Sequence, residues 1–544
     1  MRWIGICPRT ATTRLSADVV LVNHDYLYPY GGKAGLFRAA EGSWHKSHVR
    51  ADSPRAIRRL AATISACAHA WERPLVAAAV VMSAAVTFLF CRELRHDDAY
   101  VTFVYARHLG AGEGFVFNLG ERVLGTTSPL QALLLALVYR LFGEVLPTAA
   151  LLIGSLGLSL QGAALYGLVR EHSRGLAILL VLLLWAGMAG AQPWLTLETN
   201  LFCALVLATL YAQHRHYPGL CGLGLGLAFL CRYDGALLIP VLIIQTWRQR
   251  RAFPQRALLV AFAVVAPWLI GATLYFGTFL PQTLGAKQAI VTPLAYLGHY
   301  LHYFAAEWLD RFLPNGWSMI LAPVGWLFGL VTIRRLPQLQ GLFLFSLLLL
   351  GSYAVIGPPP PQHWHMYPVT LTAGVVLALA VLTGLQQLGR RWPAVFVAVG
   401  LLLVMITGRH TVVWSRTIGT EFWLGHRHHC YEVVADWIKA NVLPDQVFMA
   451  HEVGTLGFLT RQRMIDPYGL INETNEFPTT QSPAALAKLI AHYRPTLMLA
   501  DSPQEGRWLE QNTPLRVVKI FPWNAPWSTL LVSSPGVLRG QPPD

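Results

Sequence analysis

Two adjacent carboxylates, Asp97 and Asp98, stand immediately beyond the first long hydrophobic segment of the chain. Charge at a membrane boundary is costly unless a partner neutralises it or a reaction uses it. A carboxylate in such a place can take a proton from a hydroxyl group as a general base. The simpler interpretation is that both acids only stabilise the start of a helix, through its free amides and its dipole.

The residues behind the carboxylate pair have helical spacing. One side of the helix would carry Tyr100, Phe103, Val104 and Arg107, and another side would carry Asp98, Thr102 and Tyr105. On such a helix one carboxylate can serve as a cap while its neighbour projects into a cavity. The pair therefore needs a helix that begins at Asp97, held just outside a membrane.

The composition identifies the class of protein. Of 544 residues, 54% are hydrophobic and only 13% are charged, and the mean hydropathy is positive, which excludes an ordinary soluble protein. The net charge of +14 lies largely in short Arg-rich loops between hydrophobic segments, at 170–174, 248–256, 334–335 and 390–391. This is the positive-inside pattern, so the charge reports orientation, and no nucleic-acid partner is expected.

The hydrophobic segments predict about eleven transmembrane helices. The first, 71–91, follows a basic segment, so the carboxylate pair emerges outside the cytoplasm. The apolar stretch 129–142 is shorter than the roughly twenty residues that a crossing needs, and we predict a re-entrant or interfacial helix there. We predict the later spans at 147–169, 176–192, 198–213, 218–231, 235–247, 257–276, 317–333, 340–357, 367–385 and 393–408. With these spans, every Arg-rich loop is cytoplasmic.

We therefore predict an α-helical polytopic membrane protein with a C-terminal extracytoplasmic α/β domain. Residues 1–70 would be a disordered cytoplasmic tail, 71–409 the transmembrane domain with outer loops 92–129 and 277–317, and 410–544 the α/β domain. Strands at 447–450, 463–466, 496–500 and 515–521 alternate there with helices at 431–441 and 483–492. The segments 453–457 and 466–470 are predicted as loops.

The order DDAYxTFxYARxLxxGxGxVxNxGERVxGxTSPL, which starts at Asp97, resembles the first extracytoplasmic loop of bacterial GT-C membrane glycosyltransferases. The mycobacterial terminal arabinofuranosyltransferases are similar. The resemblance implies transfer of a sugar, arabinofuranose or a hexose, from a polyprenyl-phosphate donor to an extracytoplasmic glycan, lipid or protein. It also implies a multi-pass protein of the bacterial inner membrane, among membrane lipids, with its active site facing the periplasm.

The resemblance assigns roles to charged residues. It implies that Asp98, or else Asp97, is the catalytic base. A second signature, 276–287, implies that Lys287 holds the donor phosphate, although Gln282 stands where Asn is usual and Gly285 where an aromatic residue is usual. The other outer cations, predicted as phosphate ligands, are Arg107, Arg122 and Arg232. An interfacial lysine that only anchors a span is the alternative for Lys287.

Five further residues are predicted to contact substrate: Glu198, Asp234, His363, His365 and Tyr105. Arg232 and Asp234 lie between two short spans, which would sink the site below the outer surface; the alternative is an ion pair that only fixes helix packing. Two histidines at a spacing of two are a weak metal signal without a local carboxylate or cysteine. No metal ligands and no certain cofactor are predicted, and a divalent cation is left open.

Two other classes of function fit a polar membrane protein. A transporter or flippase of a lipid-linked sugar intermediate would carry ionisable groups near the membrane midplane and often a repeated half. A scaffold without activity would use the external domain to bind a partner. The chain has no evident internal repeat, and its polar motifs collect on the outer side, so an enzyme is favoured. In similar proteins the C-terminal tail roofs the site, which makes Asp466 and Tyr468 candidate acceptor contacts or parts of a structural turn.

Overall fold

The computed structural model describes residues 53–93, 95–187, 194–282, 298, 330–331, 333–356, 363–389, 392–418, 427–473, 483–500, 502–522, 528–533 and 537–539. The chain divides into two units, 1–68 and 69–544. In the first unit the described residues, from Ser53 onward, are helical. The predicted irregular tail therefore ends earlier than residue 70. All elements that concern the candidate site belong to the second unit.

The membrane domain is a series of helices. They are α1 (Ser53–Cys91), α2 (Asp97–Ala111), α3 (Pro129–Phe142), α4 (Leu146–Val169), α5 (Arg174–Ala186), α6 (Thr199–His214), α7 (Pro218–Cys231), α8 (Leu238–Arg250), α9 (Gln255–Phe276), α10 (Gln340–Ile356), α11 (His363–Gly389) and α12 (Pro393–Ile418). Ten of the eleven predicted spans coincide with helices, and nearly all of the remaining one, 317–333, lies outside the described residues.

Within the part of the chain that the structure describes, five helical segments are long and apolar enough to cross a membrane: Glu72–Cys91, Leu146–Val169, Gln255–Phe276, Pro337–Val355 and Trp364–Gln387. Shorter apolar helices stand at Pro129–Phe142, Arg174–Ala186, Pro218–Cys231 and Ala394–Arg409. Among the described helices, fewer than the predicted eleven are this long, because several, such as α5 and α7, have only 13 and 14 residues. The chain is a multi-pass membrane protein.

The membrane helices pack closely through small residues. A Cβ on Gly157 of α4 would lie 2.8 Å from the backbone nitrogen of Leu201 on α6. A Cβ on Gly222 of α7 would collide with the carbonyl oxygen of Ala257 on α9. Without side chains at these points the helix backbones can approach one another, which is how helices gain van der Waals contact inside a membrane.

The Arg-rich connections meet at one end of the helix bundle. Glu171, between α4 and α5, accepts hydrogen bonds from His214 and Arg215 at the end of α6. The α4–α5 connection also receives a hydrogen bond from Gln386 near the end of α11 to Ser173. The prediction that these loops share one side agrees with these contacts.

The C-terminal domain is an α/β layer built on a five-stranded sheet of order β2-β1-β3-β5-β4. Its strands are β1 (Val447–Met449), β2 (Arg463–Ile465), β3 (Leu497–Ala500), β4 (Arg516–Pro522) and β5 (Ser528–Ser533). Its helices are α13 (Arg427–Asn441), α14 (Val453–Thr460), α15 (Pro483–Tyr493) and α16 (Pro503–Asn512). Strands β1, β2 and β3 are parallel, whereas β5 runs antiparallel to β3 and β4.

The predicted loop at 453–457 is wrong, because these residues begin helix α14. Glycine and threonine are weak helix formers, so the local sequence did not indicate a helix. The helix is stabilised instead by packing, since Phe458 contacts the rings of Tyr100 and Phe103 on α2 at centroid distances of 5.3 and 6.1 Å. The predicted Tyr100–Phe103–Arg107 side of α2 is the side that faces α14.

The first outer loop holds the open edge of the sheet. The side-chain amide of Asn118 donates to the carbonyl of Met464 and accepts from its amide, both at 2.9 Å, as a neighbouring strand would. Glu121 accepts from the guanidinium of Arg463 at 2.6 Å. Edge strands expose unpaired backbone groups, and here the loop satisfies them on β2. The C-terminal domain is thereby fixed to the loop that carries the carboxylate pair.

Helix α3 lies along the end of the bundle that carries the C-terminal domain. Near its start, the amide of Gln131 donates to the carbonyl of Thr196 at 2.9 Å, just before α6. Just beyond its end, Glu144 pairs with Arg461 of the C-terminal domain at 2.7 Å. Because α3 starts and finishes against elements of the same end, this geometry agrees with the predicted interfacial helix.

Candidate active site

Asp97 caps a helix of the other domain. Its Oδ1 accepts a hydrogen bond from the backbone amide of Thr455 at 2.8 Å, and its Oδ2 accepts one from the amide of Gly454 at 3.2 Å. These are free amides in the first turn of α14, where a carboxylate is stabilised by hydrogen bonds and by the helix dipole. Of the two acids at the start of α2, Asp97 is therefore engaged in holding the C-terminal domain.

Asp98 is placed differently from its neighbour. Its carboxylate is half-buried and makes no hydrogen bond or ion pair with any residue that the structure describes. One oxygen of Asp98 lies within 4.8 Å of oxygens of Asp97 and Glu452. A carboxylate without a protein hydrogen-bond donor keeps its lone pairs for a ligand, which is what a general base requires.

The three carboxylates of Asp97, Asp98 and Glu452 also bear on metal binding. Hard divalent cations such as Mg²⁺ prefer oxygen ligands of this kind. Each oxygen of Asp97 already accepts one amide hydrogen bond, so it would contribute only its remaining lone pairs. The residues fit a cation with several water ligands. They do not form a cage of protein ligands.

A second cluster surrounds Arg232, at the end of α7. Its guanidinium donates to Asp234 Oδ2 from Nε at 3.1 Å and from Nη2 at 2.6 Å. It also donates to the hydroxyl of Tyr353 and to the carbonyl of Trp364, both at 3.2 Å, and lies 3.9 Å from Glu198. With 4% of its surface exposed, Arg232 is almost fully committed to protein partners.

The two clusters are connected through the start of α11. The ring of His96, directly before Asp97, contacts the ring of Trp364 edge-to-face at a centroid distance of 4.7 Å. The carbonyl of the same Trp364 accepts from Arg232. His365 lies next to Trp364 and stacks at a tilt, 5.7 Å from Tyr353. The predicted residues Asp98, Glu198, Arg232, Asp234 and His365 are thus brought into one region.

The beginning of the second signature joins the same region. Gln282 forms hydrogen bonds with three backbone carbonyls. Its backbone N–H donates to the carbonyl of Leu124 at 2.9 Å. Its side-chain amide donates to the carbonyls of Gly469 and Asn472 at 2.9 and 2.8 Å. Tyr233 donates to the carbonyl of Phe279 at 2.7 Å. The first loop, the turn after α7 and the segment after α9 therefore meet by direct hydrogen bonds.

Known proteins share parts of this architecture. Residues 126–270 match the family described as Dolichyl-phosphate-mannose-protein mannosyltransferase, and residues 421–532 match a Domain of unknown function (DUF8728). The apo structure of ArnT from Cupriavidus metallidurans is similar with a TM-score of 0.53 at 15% identity, covering 86% of this chain and 98% of ArnT. ArnT bound to undecaprenyl phosphate gives 0.51 at 15% identity, covering 84% and 97%. The chain therefore shares the fold of ArnT, and residues 126–270 also match the mannosyltransferase family.

The predicted helical membrane fold is confirmed by the fold shared with ArnT. One curated relative, the inner membrane protein YccS of Escherichia coli (strain K12), is 26% identical over 151 residues. That alignment spans 26% of this chain and 21% of YccS, so it concerns only a segment of either protein.

Three predicted GT-C site residues lie outside the central region. Arg107 is buried, donates to the carbonyl of Phe458 at 2.8 Å and stacks on its ring, so it secures α14. Tyr105 is fully buried, and its hydroxyl donates to Val123 and accepts from Gly125, which fixes the first loop. Arg122 is exposed, with its guanidinium 4.8 Å from the ring centre of Tyr275 at the end of α9.

Two predicted residues of the GT-C site cannot be placed. Lys287 lies outside the described residues, as does the rest of the signature after Gln282. His363 begins α11, but its side chain is also outside the described part. The predicted roles of both remain predictions.

Burial changes the acid–base properties of α2. It lowers the pKa of His108 below its usual value, although Nδ1 of the ring bonds to the carbonyl of Val116 at 3.0 Å. Burial likewise lowers the pKa of Arg107, which lies near Arg461. Arg107 contacts Phe458 of the C-terminal domain, whereas His108 contacts Val116 and Glu113 of the first outer loop.

Sequence reasoning missed Glu452 and the role of Gln282. Glu452 belongs to the C-terminal domain, more than three hundred residues along the chain from the acids it approaches. No local spacing could have revealed it. Gln282 carried a signal, because it replaces the residue that is usual in similar enzymes. Asp466 is fully buried, and its carboxylate accepts from the amides of Tyr468 and Leu470, which is a structural turn.

Proposed function

We propose that this GT-C protein transfers a sugar from a polyprenyl-phosphate donor to a hydroxyl group of an extracytoplasmic acceptor, with Asp98 as the general base. The observation that carries the proposal is the contrast between the two neighbouring acids. Asp97 is occupied by the amides of Gly454 and Thr455, whereas Asp98 has no hydrogen-bond partner among the described residues. A base needs lone pairs that protein donors do not occupy, and Asp98 keeps more of them than Asp97 does.

The transfer exchanges one bond for another. The acceptor oxygen forms a bond to the anomeric carbon while the bond from that carbon to the phosphate oxygen breaks. The proton of the acceptor hydroxyl passes to Asp98, and the electron pair of the broken bond leaves with polyprenyl phosphate. Cationic side chains that face the departing phosphate stabilise its developing charge through charge-assisted hydrogen bonds.

Among the predicted cations we assign the phosphate to Lys287 and Arg122. Arg232 donates to several protein partners, and Arg107 is buried with one N–H donating to Phe458, so we assign both to positioning. Arg122 is exposed and lies over Tyr275, beside the segment that leads towards Lys287. Arg232 would act as a positioning residue that holds Asp234 and the start of α11 around the sugar, with Glu198 and His365 close by.

The donor class is supported by the fold shared with ArnT, one structure of which binds undecaprenyl phosphate. A periplasmic location is supported by the contacts of Glu171 with His214 and Arg215 at the other end of the bundle, where the charge rule assigns Arg-rich loops to the cytoplasm. The proposed sugar is arabinofuranose or a hexose. The proposed acceptor is a glycan, a lipid or a protein. The described polar clusters meet at one end of the bundle, which favours transfer over transport.

The proposal is tested with a gene deletion strain and mass analysis of its surface glycans, lipids and proteins. A sugar that disappears on deletion and returns with the wild-type protein identifies the reaction. The sugar should return with Glu510→Gln, a carboxylate-to-amide control on α16. Its absence with Asp98→Asn at equal protein level would support the role of Asp98. An unchanged set of surface sugars in the deletion strain would refute the proposed activity.

A further inference from the structure

The carboxylates at the Arg-rich end of the helix bundle already have basic partners. Glu72 accepts a hydrogen bond from Arg170, and Glu171 accepts from His214 and Arg215. The connections at this end contain no further acidic residue: 170–174, 214–217, 248–256, 334–337 and 389–392. Any other arginine of these connections therefore has to find its counter-charge elsewhere.

Six arginines at the same end are exposed and make no hydrogen bond or ion pair with any residue that the structure describes. They are Arg248, Arg250, Arg251, Arg256, Arg334 and Arg335. The chain has no acidic residue between Asp234 and Glu307, nor between Asp310 and Glu421. The segments that carry these six arginines thus supply no counter-charge, and like charges repel unless anions from outside the protein neutralise them.

Two contacts place the six arginines on adjoining elements. A Cβ on Gly341, at the start of α10, would lie 2.6 Å from the side-chain nitrogen of Gln245, near the end of α8. Gln338, just before α10, donates to the carbonyl of Leu168 in the last turn of α4 at 2.9 Å. Both contacts lie within a few residues of an arginine group along the chain. The arginines around the α8–α9 connection and those before α10 therefore stand at one end of the bundle, on neighbouring elements.

Exposed apolar side chains accompany the arginines. Trp247 and Phe253 flank the end of α8, and each keeps 53% of its surface exposed. Leu259 and Phe262, on α9 just beyond Arg256, each keep 67% exposed. On a membrane helix such a surface faces acyl chains, and aromatic rings lie at the level of the headgroups. The arginines next to them therefore stand at the depth of lipid phosphates.

We propose that these six arginines form a surface that binds acidic phospholipid headgroups. The leaflet concerned borders the end of the bundle that the charge rule assigns to the cytoplasm. A guanidinium group donates two parallel hydrogen bonds to phosphate oxygens, which gives it directional as well as electrostatic affinity for a phosphodiester. The binding is separate from sugar transfer, because the residues proposed for that reaction lie at the other end of the bundle.

The test measures binding of phosphatidylglycerol, phosphatidylcholine and inorganic phosphate to the full-length protein in detergent. We expect phosphatidylglycerol to bind at least about tenfold more tightly than phosphatidylcholine. The double variants Arg250→Gln/Arg251→Gln and Arg334→Gln/Arg335→Gln should each weaken its binding at least about tenfold, since one arginine near an anionic surface contributes about a factor of five. The matched control is Arg140→Gln/Arg507→Gln, which removes two exposed arginines outside the proposed surface and should bind as the wild type does.

Thermal unfolding of each variant shows that it is folded, and the two double variants test the surface independently. Equal affinity for the two lipids, or wild-type binding by both double variants, would refute the proposal. An equal loss of binding in the control would attribute the preference to net charge and refute the assigned surface. Inorganic phosphate that binds as tightly as phosphatidylglycerol would identify the ligand as a soluble anion and also overturn the proposal.

Discussion

Asp97 and Thr455 are 358 positions apart in the chain and share a hydrogen bond of 2.8 Å. Helix α2 of the outer loop therefore begins next to the start of α14 in the C-terminal domain, and the carboxylate of Asp97 caps α14. The same bond places Asp98 and Glu452 near each other. The contact that docks the C-terminal domain therefore also assembles the candidate site.

Asp98→Asn is predicted to reduce sugar transfer by about 10²–10⁴-fold, the usual contribution of a general base. An amide of nearly the same shape cannot accept the proton. Protein level and thermal stability should not change, because Asp98 has no hydrogen-bond partner in the described part of the chain. Transfer in isolated membranes, normalised to the amount of protein, measures the effect. Transfer at the wild-type rate would exclude this residue as the base.

Asp97→Ala is predicted to act through stability. Removal of a helix cap costs about 0.5–2 kcal/mol, and here the lost bonds are those to Gly454 and Thr455. Asp97→Asn keeps one acceptor oxygen and should unfold at a temperature closer to the wild type. Thermal unfolding in detergent compares the two variants. Equal unfolding temperatures for Asp97→Ala and the wild type would show that the bond to α14 contributes nothing.

Gly454→Ala is predicted to disrupt the junction between α2 and α14. A Cβ at this position would collide with the backbone carbonyl of Asp97, which cannot move as a flexible side chain does. We expect destabilisation of about 1–3 kcal/mol, typical of an overpacked site, with loss of transfer. Gly271→Ala is the matched control, because nothing lies within 4 Å of its added Cβ. Similar behaviour of the two variants would contradict the described contact.

Gln282→Asn tests the residue that differs from similar enzymes. The shorter side chain cannot reach the carbonyls of Gly469 and Asn472 while its backbone remains bonded to Leu124. We expect faster hydrogen exchange of the amides in 466–472, with little change in the sheet. Exchange followed by mass spectrometry measures this directly. If the exchange of that loop is unaltered, the side chain of Gln282 does not hold it.

The lowered pKa of His108 predicts a dependence of stability on pH. Because burial depresses this pKa in the folded protein below the ordinary 6.5, the unfolded chain binds the proton more readily. The stability is present above pH 6.5 and is lost as the pH falls through the lower, folded value. His108→Gln removes this loss, so its unfolding temperature should fall less between pH 7 and pH 5 than that of the wild type. Parallel curves for the two proteins would disprove the assignment.

The helices of the membrane domain could be predicted because hydrophobic length and Arg-rich loops are local signals. Even α3 was predicted with its observed bounds, Pro129–Phe142. Helix α14 could not be predicted, since its cap is Asp97 and its packing partners belong to α2. Strand β5 (Ser528–Ser533) was also missed, although it pairs along most of β4.

Several of the predicted site residues lie in one region, but the contacts that would divide roles among them could not be predicted. Sequence order could not separate Asp97 from Asp98, because the difference lies in amides that a distant helix supplies. Arg107 and Arg232 looked equivalent as outer cations, yet Arg107 donates to the carbonyl of Phe458 whereas Arg232 donates to Asp234, Tyr353 and Trp364. Such partners come from tertiary contacts, and a single sequence does not encode them in any local pattern.

The central claim is that Asp98 accepts the proton during sugar transfer while Asp97 holds the C-terminal domain. The most direct measurement is the rate of transfer of the sugar identified from the deletion strain, for Asp98→Asn and Asp97→Asn in membranes containing equal amounts of protein. The account predicts a loss of at least about 100-fold for Asp98→Asn and a loss of less than about tenfold for Asp97→Asn. The reverse order, or full activity in both, would contradict it.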